Sequence, residues 1–340
     1  MASGIVFASV KSYSKRGKLL GRARMQTLAE SRDLDELVTR IRNTDYSGAL
    51  SDLQKPYTSD GIESAIRGRL AETHHNIAKT AGGAGLLEAY YMRFAVTNLK
   101  QILRGKALGR DQAEIERRVN LRAEELAGRR DVAARAMAAG SLEEAVSSLS
   151  QAEFGAEVSK AAALYGEGGN VQVFDAHLDR VLYTRVAKAV RSTGSDAAKL
   201  ASMDVDFYNM MAVVRSKLWG LDEEQVRGLV VKAPGGALLD RMIAAGGVRE
   251  ALAEVSSTRY GPMVPESGDD LGLVAGFERS FEAAMYAASR RAFTKMLNLV
   301  TTVAITKLTA YEARNIAAVA YAVEQGIPAP DTMKKLVLEP

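Results

Sequence analysis

The sequence predicts an all-α protein, and three observations lead to this prediction. Long stretches of the 340 residues are rich in Ala, Leu, Glu, Lys, Arg and Met, and the chain has only 7 prolines, a composition that favours helix. Apolar residues recur at helical spacing. For example, one face of a helix would carry Phe207, Met211, Val214 and Leu218. The third observation is that the chain is self-similar over long distances, which indicates repeated helical units.

The N-terminal segment is basic, whereas the rest of the chain is faintly acidic. The net charge is +4, and residues 1–29 supply +6 with no acidic residue before Glu30, so the remainder carries −2. Such polarisation indicates a docking surface, with a solvated helix and an organellar transit peptide as alternatives. Tyr13 is the only aromatic residue between Lys11 and Arg24, where these cations lie, so a nucleic-acid platform is weakly supported. No nucleic-acid partner is expected.

Two sets of anchor residues define the repeat. The anchor aromatics lie 108 and 106 residues apart, and each follows an apolar residue (Leu34, Leu142 or Val248) by 12 positions. They are Tyr46, Phe154 and Tyr260. The anchor asparagines lie 111 and 106 residues apart, and each has a glycine 11 positions later. These pairs are Asn98 with Gly109, Asn209 with Gly220, and Asn315 with Gly326. We therefore predict three helical repeats, at residues 1–112, 113–225 and 226–340.

Each anchor has a physical interpretation as scaffold. An asparagine that shares a helix face with an aliphatic residue four positions later is predicted to hydrogen-bond a neighbouring helix or loop, since an unpaired buried amide is costly. The glycine suits a left-handed cap at the end of that helix. Asp111, Asp222 and Pro328, each two residues further on, suit the start of the next helix.

Further along the chain, glycine and proline gather at 81–85, 165–170, 233–236 and 261–268, which predicts loops there. The region around Arg110 to Met137 is predicted as one heavily charged helix with a solvated face, the alternative being a partner-docking surface. Asp269 is predicted to lie at a solvated helix start. The uncharged run Met296 to Thr306 is about half the ~20 residues of a spanning helix, which predicts a buried core helix.

The residue inventory excludes several kinds of chemistry. The absence of cysteine excludes disulfides, iron–sulfur clusters and thiol catalysis, and favours an intracellular setting. There is no phosphate-binding loop signature, and the glycines at 83–85 lack the third glycine of a dinucleotide fingerprint. His74 and His75 are adjacent and point about 100° apart on a helix, unlike a zinc-binding pair. We therefore expect no catalytic residue, no metal, no cofactor and no small-molecule substrate.

A series of short motifs, individually soft but specific in order and spacing, spans essentially the whole chain. They are Leu34-Asp35-Glu36-Leu37 with Thr44-Asp45-Tyr46, Phe174 through Leu178-Asp179 to Tyr183, Asp206-Phe207-Tyr208-Asn209 with Arg215 and Lys217, the turn Pro234-Gly235-Gly236, Tyr311-Glu312-Ala313-Arg314-Asn315-Ile316, and Gly326-Ile327-Pro328. On these motifs the chain resembles the C subunit of the archaeal and bacterial V/A-type rotary ATPases, the counterpart of the d subunit in vacuolar ATPases. Two positions depart from the pattern: Val96-Thr97 precede Asn98, and Tyr321 stands where the other repeats have Arg104 and Arg215.

The resemblance implies a funnel of three pseudo-threefold-related helical domains, peripheral to the membrane on its cytoplasmic face. It implies a non-catalytic rotor subunit of the central stalk that joins the membrane proteolipid ring to the D and F subunits of that stalk. Proton or sodium flow would thereby be linked to ATP synthesis or hydrolysis. Five N-terminal cations are then predicted to face the ring or anionic headgroups: Lys15, Arg16, Lys18, Arg22 and Arg24. The alternatives are an unrelated helical-repeat scaffold for protein partners and, third, an all-helical enzyme.

Overall fold

The computed structural model describes residues 2–232 and 236–339, and this part of the chain is all-α, with no β-strand. The prediction of the fold class is confirmed. The described α-helices are α1 (Ala2–Arg16), α2 (Arg22–Ala29), α3 (Leu34–Arg42), α4 (Ser59–Thr80), α5 (Gly85–Ala107), α6 (Gln112–Arg118), α7 (Leu121–Leu126), α8 (Arg130–Ala138), α9 (Leu142–Leu149), α10 (Gly155–Gly168), α11 (Gln172–Arg191), α12 (Ser195–Leu218), α13 (Glu223–Leu229), α14 (Ala237–Ala244), α15 (Val248–Ser256), α16 (Asp270–Arg291), α17 (Leu299–Glu324) and α18 (Ala329–Met333). Short 3-10 turns occupy Ser47–Leu50, Gly261–Met263 and Ala292–Thr294.

The three long helices that carry the anchor asparagines, α5, α12 and α17, end in the same way. Gly109, Gly220 and Gly326 have φ of 66°, 70° and 65°, a left-handed conformation that glycine adopts without a Cβ clash. The amide after each glycine bonds back to the carbonyl five residues earlier, for example Ile327 N–H to the Ala322 carbonyl at 2.8 Å. The helix ends are therefore set by local sequence.

The next helix also starts from a local signal in each case. The Asp111 carboxylate accepts the Glu114 N–H at 2.7 Å at the start of α6. Asp222 and Gln225 form a reciprocal capping box at the start of α13. Pro328, whose missing N–H costs nothing at a helix start, precedes α18.

Two predicted elements are wrong in detail, and one lies outside the described residues. The charged stretch from Arg110 to Met137 is three short helices, α6 to α8, because Asn120 caps α7 and Gly128 adopts a φ of 71°. The loop predicted from residue 165 begins later, since α10 continues to Gly168 and ends at the left-handed Gly169. Pro234 and Gly235 of the predicted turn fall outside the described residues.

Six long helices form three hairpins, α4 with α5, α11 with α12, and α16 with α17. The first helix of each hairpin packs along the second helix of another: α11 on α5, α16 on α12, and α4 on α17. The last of these contacts joins the two ends of the chain. The hairpins consequently follow one another in a closed cycle.

Three large hydrophobic clusters fill the described structure. One combines N-terminal residues such as Leu37, Ile41 and Ile66 with Ile316 and Val319 of α17. A second joins α12 to α16 around Phe277 and Phe281, and the largest runs through α5, α11, α12 and α17. Apolar burial of this extent is the main force that holds the helices together. The repeat boundaries and the funnel shape stay predictions, and the first of these clusters crosses the predicted boundaries because it unites both chain ends.

The uncharged run at 296–306 begins in a turn and continues into the core. Met296 and Leu297 are exposed, α17 begins at Leu299, and Val300 to Thr306 are buried, so the predicted core helix is confirmed from Leu299 onward. Over residues 2–232 and 236–339, none of the helices combines the length and apolar character needed to cross a bilayer.

Candidate docking site

The anchor asparagines make the same contact in all three repeats. Each buried carboxamide accepts the N–H, and donates to the carbonyl, of one residue 22 positions later in the chain. The bonds measure 2.8 and 3.1 Å for Asn98 with Asn120, 2.7 and 2.9 Å for Asn209 with Val231, and 3.1 and 2.8 Å for Asn315 with Val337. We call these contacts the asparagine clamps. Each clamp ties the segment that follows a short helix back onto a long one.

The anchor aromatics are buried, and each packs on the long helix of another hairpin. The Tyr46 hydroxyl donates to Glu312 on α17 at 2.6 Å, and the Tyr260 hydroxyl donates to Asp206 on α12 at 2.6 Å. Both carboxylates lie three residues before an anchor asparagine. At the same place on α5 stands Ala95, which shares a small cavity with Phe154. The hydroxyl and its acceptor are therefore present together in two of the three contacts and absent together in the third.

A cavity of about 300 Å³ lies where the three hairpins meet. At its centre the Asp204 carboxylate on α12 accepts from the Tyr90 hydroxyl of α5 and from the Lys307 ammonium of α17. We call these three residues the central cluster. It joins the second helix of every hairpin at one carboxylate. The Lys307 and Asp204 side chains are only 7% and 14% exposed, so this ion pair is shielded from water.

The surroundings of the cavity shift the pKa of several of its ionisable groups. Burial lowers the pKa of Lys307, and the Asp204 carboxylate opposes that change. Burial raises the pKa of Tyr90, Tyr183 and Tyr311, so these phenols stay protonated near neutral pH. The cavity therefore offers hydrogen-bond donors and fixed charges, which suit recognition of a charged partner.

Two further cations enter the cavity from α5 and α17. The Arg314 guanidinium binds Glu282 of α16, with one N···O distance of 2.9 Å. Arg93 donates from Nε to the Tyr90 carbonyl of its own helix at 3.0 Å. The sequence motifs include Tyr183, Tyr311 and Arg314 but assign them no role, and sequence reasoning missed Tyr90, Arg93, Asp204, Glu282 and Lys307, because no local pattern connects positions on separate helices.

The five N-terminal cations predicted to dock a partner do not form one free patch. Lys15 and Lys18 both bind Asp45, the latter at 3.0 Å, so their separation from acids exists along the chain but not in space. Arg16 lies 4.9 Å from the Phe293 ring centroid. The remaining two are exposed, as Lys18 also is: Arg22 donates to the Glu339 carbonyl at 3.0 Å, and Arg24 is open to solvent. Their docking role stays a prediction, and it rests most on Arg22 and Arg24.

The histidines have a structural setting. His74 is buried and its Nε2 lies 3.0 Å from the Thr309 hydroxyl of α17, while burial lowers the pKa of the ring. In the ranges that the structure describes, no three His, Asp or Glu side chains converge in a way that could hold a metal ion.

Known proteins are similar to this chain over most of its length. The sequence model of one family, described as ATP synthase (C/AC39) subunit, matches residues 8–335. The chain belongs to this family. The C subunit of the A-type ATP synthase of Pyrococcus abyssi is 25% identical over 349 aligned positions, which cover 98% of this chain and 90% of the relative. The corresponding protein of Haloferax volcanii is 26% identical (88% and 87% covered), and that of Halorubrum lacusprofundi is 28% identical (82% and 82% covered).

The family membership confirms the resemblance seen in the sequence. The family is a structural subunit of the ATP synthase rather than a catalytic one, so the protein is a non-catalytic subunit of this complex. As a subunit of a larger assembly, it has partner subunits.

Proposed function

We propose that the protein is the rotor subunit that couples the membrane proteolipid ring of an A-type ATP synthase to a central shaft made of the D and F subunits. Proton or sodium flow and ATP synthesis or hydrolysis would be linked through it. The observation that carries this proposal is the cavity at which all three hairpins meet and are tied by the central cluster. We propose this cavity as the seat of the shaft, within a funnel of three helical domains.

The physics of rotation supports a coupling role for this architecture. Each elementary charge that crosses 100 mV releases about 2.3 kcal/mol, which a coupling subunit must transmit without slipping. Tightly packed helices deform little under load. The central cluster bonds α5, α12 and α17 to one carboxylate, so that a force applied to one hairpin is shared by the other two.

The surface for the ring is a different one, which we call the hairpin-tip end. Lys295, in the turn between α16 and α17, lies 4.0 Å from Asp196 at the start of α12. Helix α1 joins the first hairpin to this group: the Ser9 hydroxyl lies 2.8 Å from that of Thr301 on α17, and the Lys11 ammonium lies 3.3 Å from the Thr80 hydroxyl at the end of α4. The turns of all three hairpins and the beginning of α1 are thereby gathered at one end.

Large apolar side chains are exposed at the hairpin-tip end. Met296 is 76% exposed and Phe7 is 56% exposed, with Leu297, Val6 and Val10 beside them in the chain. A concentration of exposed apolar groups is typical of a contact surface. We propose that this end meets the proteolipid ring on the cytoplasmic face of the membrane, with Arg22 and Arg24 contributing charge to a peripheral attachment.

The proposal is tested by isolating the tagged protein from the membranes of the cells that naturally make it, followed by native mass spectrometry. We expect masses that contain the proteolipid ring together with the D and F subunits. Recovery with other proteins and with neither group of subunits would instead support an unrelated scaffold.

A pair of matched variants distinguishes the proposed ring surface from the proposed shaft surface. Leu297→Asp places a charge at the hairpin-tip end, and we expect it to lose the ring while keeping the D and F subunits. Leu271→Asp is the control, because Leu271 is also exposed but lies at the start of α16, the opposite end of that helix from the tip. Equal loss of the ring in both variants would contradict the assignment of this surface.

Charge reversal tests the N-terminal cations. We expect Arg22→Glu with Arg24→Glu to weaken attachment to the ring, whereas Lys15→Glu should act through the lost contact with Asp45 and lower stability. Unchanged assembly of the Arg22/Arg24 variant with ring and stalk would remove these residues from the docking surface.

A further inference from the structure

Arg93 is the feature of the cavity that the fold itself does not explain. Its guanidinium carbon lies 5.4 Å from the Tyr90 ring centroid, and its only hydrogen bond among the described residues goes to a backbone carbonyl of its own helix. The other cations of the cavity are both paired, Lys307 with Asp204 and Arg314 with Glu282. Within residues 2–232 and 236–339, no carboxylate lies within ion-pair distance of Arg93.

The surroundings of Arg93 supply further hydrogen-bond donors. Tyr183 and Tyr311 line the same cavity, and their hydroxyls make no hydrogen bond within the described part of the chain. Both phenols are held in the protonated state by burial and can therefore donate. The two carboxylates of the lining, Asp204 and Glu282, are already engaged by cations. The occupant that fits this arrangement is an anion with several acceptor positions.

The charge of Arg93 acts across the cavity. Burial is the largest influence on the pKa of Lys307 and lowers it, and the charge of Arg93 lowers it further. Burial raises the pKa of Tyr90, and the charge of Arg93 lowers it. An anion placed against Arg93 would relieve the repulsion between the two cations.

We propose that Arg93 binds a carboxylate side chain of the polypeptide that enters this cavity, with the hydroxyls of Tyr183 and Tyr311 as additional donors. This inference rests on the proposed function and names the chemistry of its shaft contact. A planar guanidinium binds a carboxylate through two parallel hydrogen bonds, which gives direction as well as affinity. A volume of about 300 Å³ admits one or two side chains at the tip of a partner rather than a whole helix.

The test is the affinity of the full-length protein for a purified complex of the D and F subunits, measured by calorimetry at several salt concentrations. For Arg93→Gln we expect binding to be weaker by at least about tenfold, with a smaller dependence on salt. Arg104→Gln is the matched control: it removes the same charge from the same helix, but from a pair with Asp175 outside the cavity. That control should bind like the wild type, and thermal unfolding verifies that both variants fold.

The outcomes separate this inference from the proposed function. Wild-type affinity in Arg93→Gln would overturn the inference and leave the coupling role intact. Failure of the wild-type protein to bind the D and F subunits would overturn both. A titration with inorganic phosphate completes the test: if phosphate raises the melting temperature of the wild type but not of Arg93→Gln, and affinity for the D and F subunits is equal in the two, the occupant is a small anion and the inference is wrong.

Discussion

The asparagine clamps and the central cluster lie on the same three helices, yet only the clamps are repeated. All three clamps join a carboxamide to a backbone segment 22 residues later. The positions five and eight residues before each asparagine differ in every repeat, and all but Ala201 line the cavity: they are Arg93 and Tyr90, Asp204 and Ala201, Ala310 and Lys307. Three copies of one charge brought to a common axis would repel one another, whereas a phenol, a carboxylate and an ammonium satisfy one another. Repetition was therefore retained where each long helix holds the chain segment that follows it, and it was lost where the hairpins face one another.

The strongest test of this contrast is to break the central cluster. Lys307→Met leaves the Asp204 carboxylate buried without its cation, and we expect a loss of about 3 kcal/mol or more in the free energy of unfolding. Urea unfolding measures the loss. The double variant with Asp204→Leu should regain most of it, because no charge is then left uncompensated. If Lys307→Met left the free energy of unfolding unchanged, the central cluster would not be what holds the hairpins together.

The clamps should respond alike when each is removed. Asn209→Ala and Asn315→Ala each lose two buried hydrogen bonds, and we expect a cost of about 1–3 kcal/mol in both. Asn98→Ala should cost somewhat more, since this carboxamide also donates to Glu124 at 2.8 Å. Amide hydrogen exchange gives a local measurement, because the N–H of Val231 or Val337 should lose protection in the matching variant only. If removal of one clamp changed neither the free energy of unfolding nor the hydrogen exchange, the three clamps would not be equivalent.

A smaller effect concerns pH and the Tyr46 contact. Burial raises the pKa of Glu312 above its ordinary 4.5, and the nearby charge of Asp45 adds to the rise. Hydrogen bonds from the Tyr46 hydroxyl and the Leu20 N–H, together with the charge of Lys15, lower this pKa but do not cancel the effect of burial. The folded state thus binds this proton more tightly than the unfolded state, so the contribution of Glu312 to stability falls as pH rises above about 4.5. The stability of Glu312→Gln relative to wild type should therefore increase with pH.

Urea unfolding between acid and neutral pH measures that difference. Glu324→Gln is a control of opposite sign, because hydrogen bonds from Ser59 lower the pKa of Glu324. The contribution of Glu324 to stability is present above its unfolded pKa and is lost as pH falls through the folded value. A parallel trend in the two variants would contradict the assignment.

The smallest effect is expected on the outer surface, where the repeats differ without consequence. Arg215 of α12 pairs with Glu278 of α16 at 2.7 Å in a half-exposed setting, and the third repeat has Tyr321 at the equivalent position. We expect Arg215→Tyr to change the free energy of unfolding by less than about 1 kcal/mol, as is typical of exposed ion pairs. Thermal unfolding measures the change. A much larger loss in the free energy of unfolding would show that differences between the repeats also matter outside the cavity.

Much of the fold could be predicted from the sequence, because its signals are local. The helical class, the spacing of the asparagines and the glycine caps depend on contacts within a few residues, and an amide on an apolar face already implied a partner. The same locality explains the error at residues 110–137, where Asn120 and Gly128 interrupt a stretch whose composition favours one helix. The motif order was enough to identify the family, while the rotor role remains a proposal.

The candidate site depended on the tertiary structure. The Tyr90 and Lys307 contacts with Asp204 span 114 and 103 residues, and no local pattern predicts which of many charged positions will face one another across packed helices. The N-terminal cations show the same limit, since Asp45 lies 30 residues from Lys15 in the chain but in contact with it. Sequence by itself determined the helical class, the ends of α5, α12 and α17 and the spacing of the asparagines, because these follow from short-range hydrogen bonding and periodicity. Only the tertiary structure decided which charges meet and which is left without a partner, because that depends on how the long helices pack.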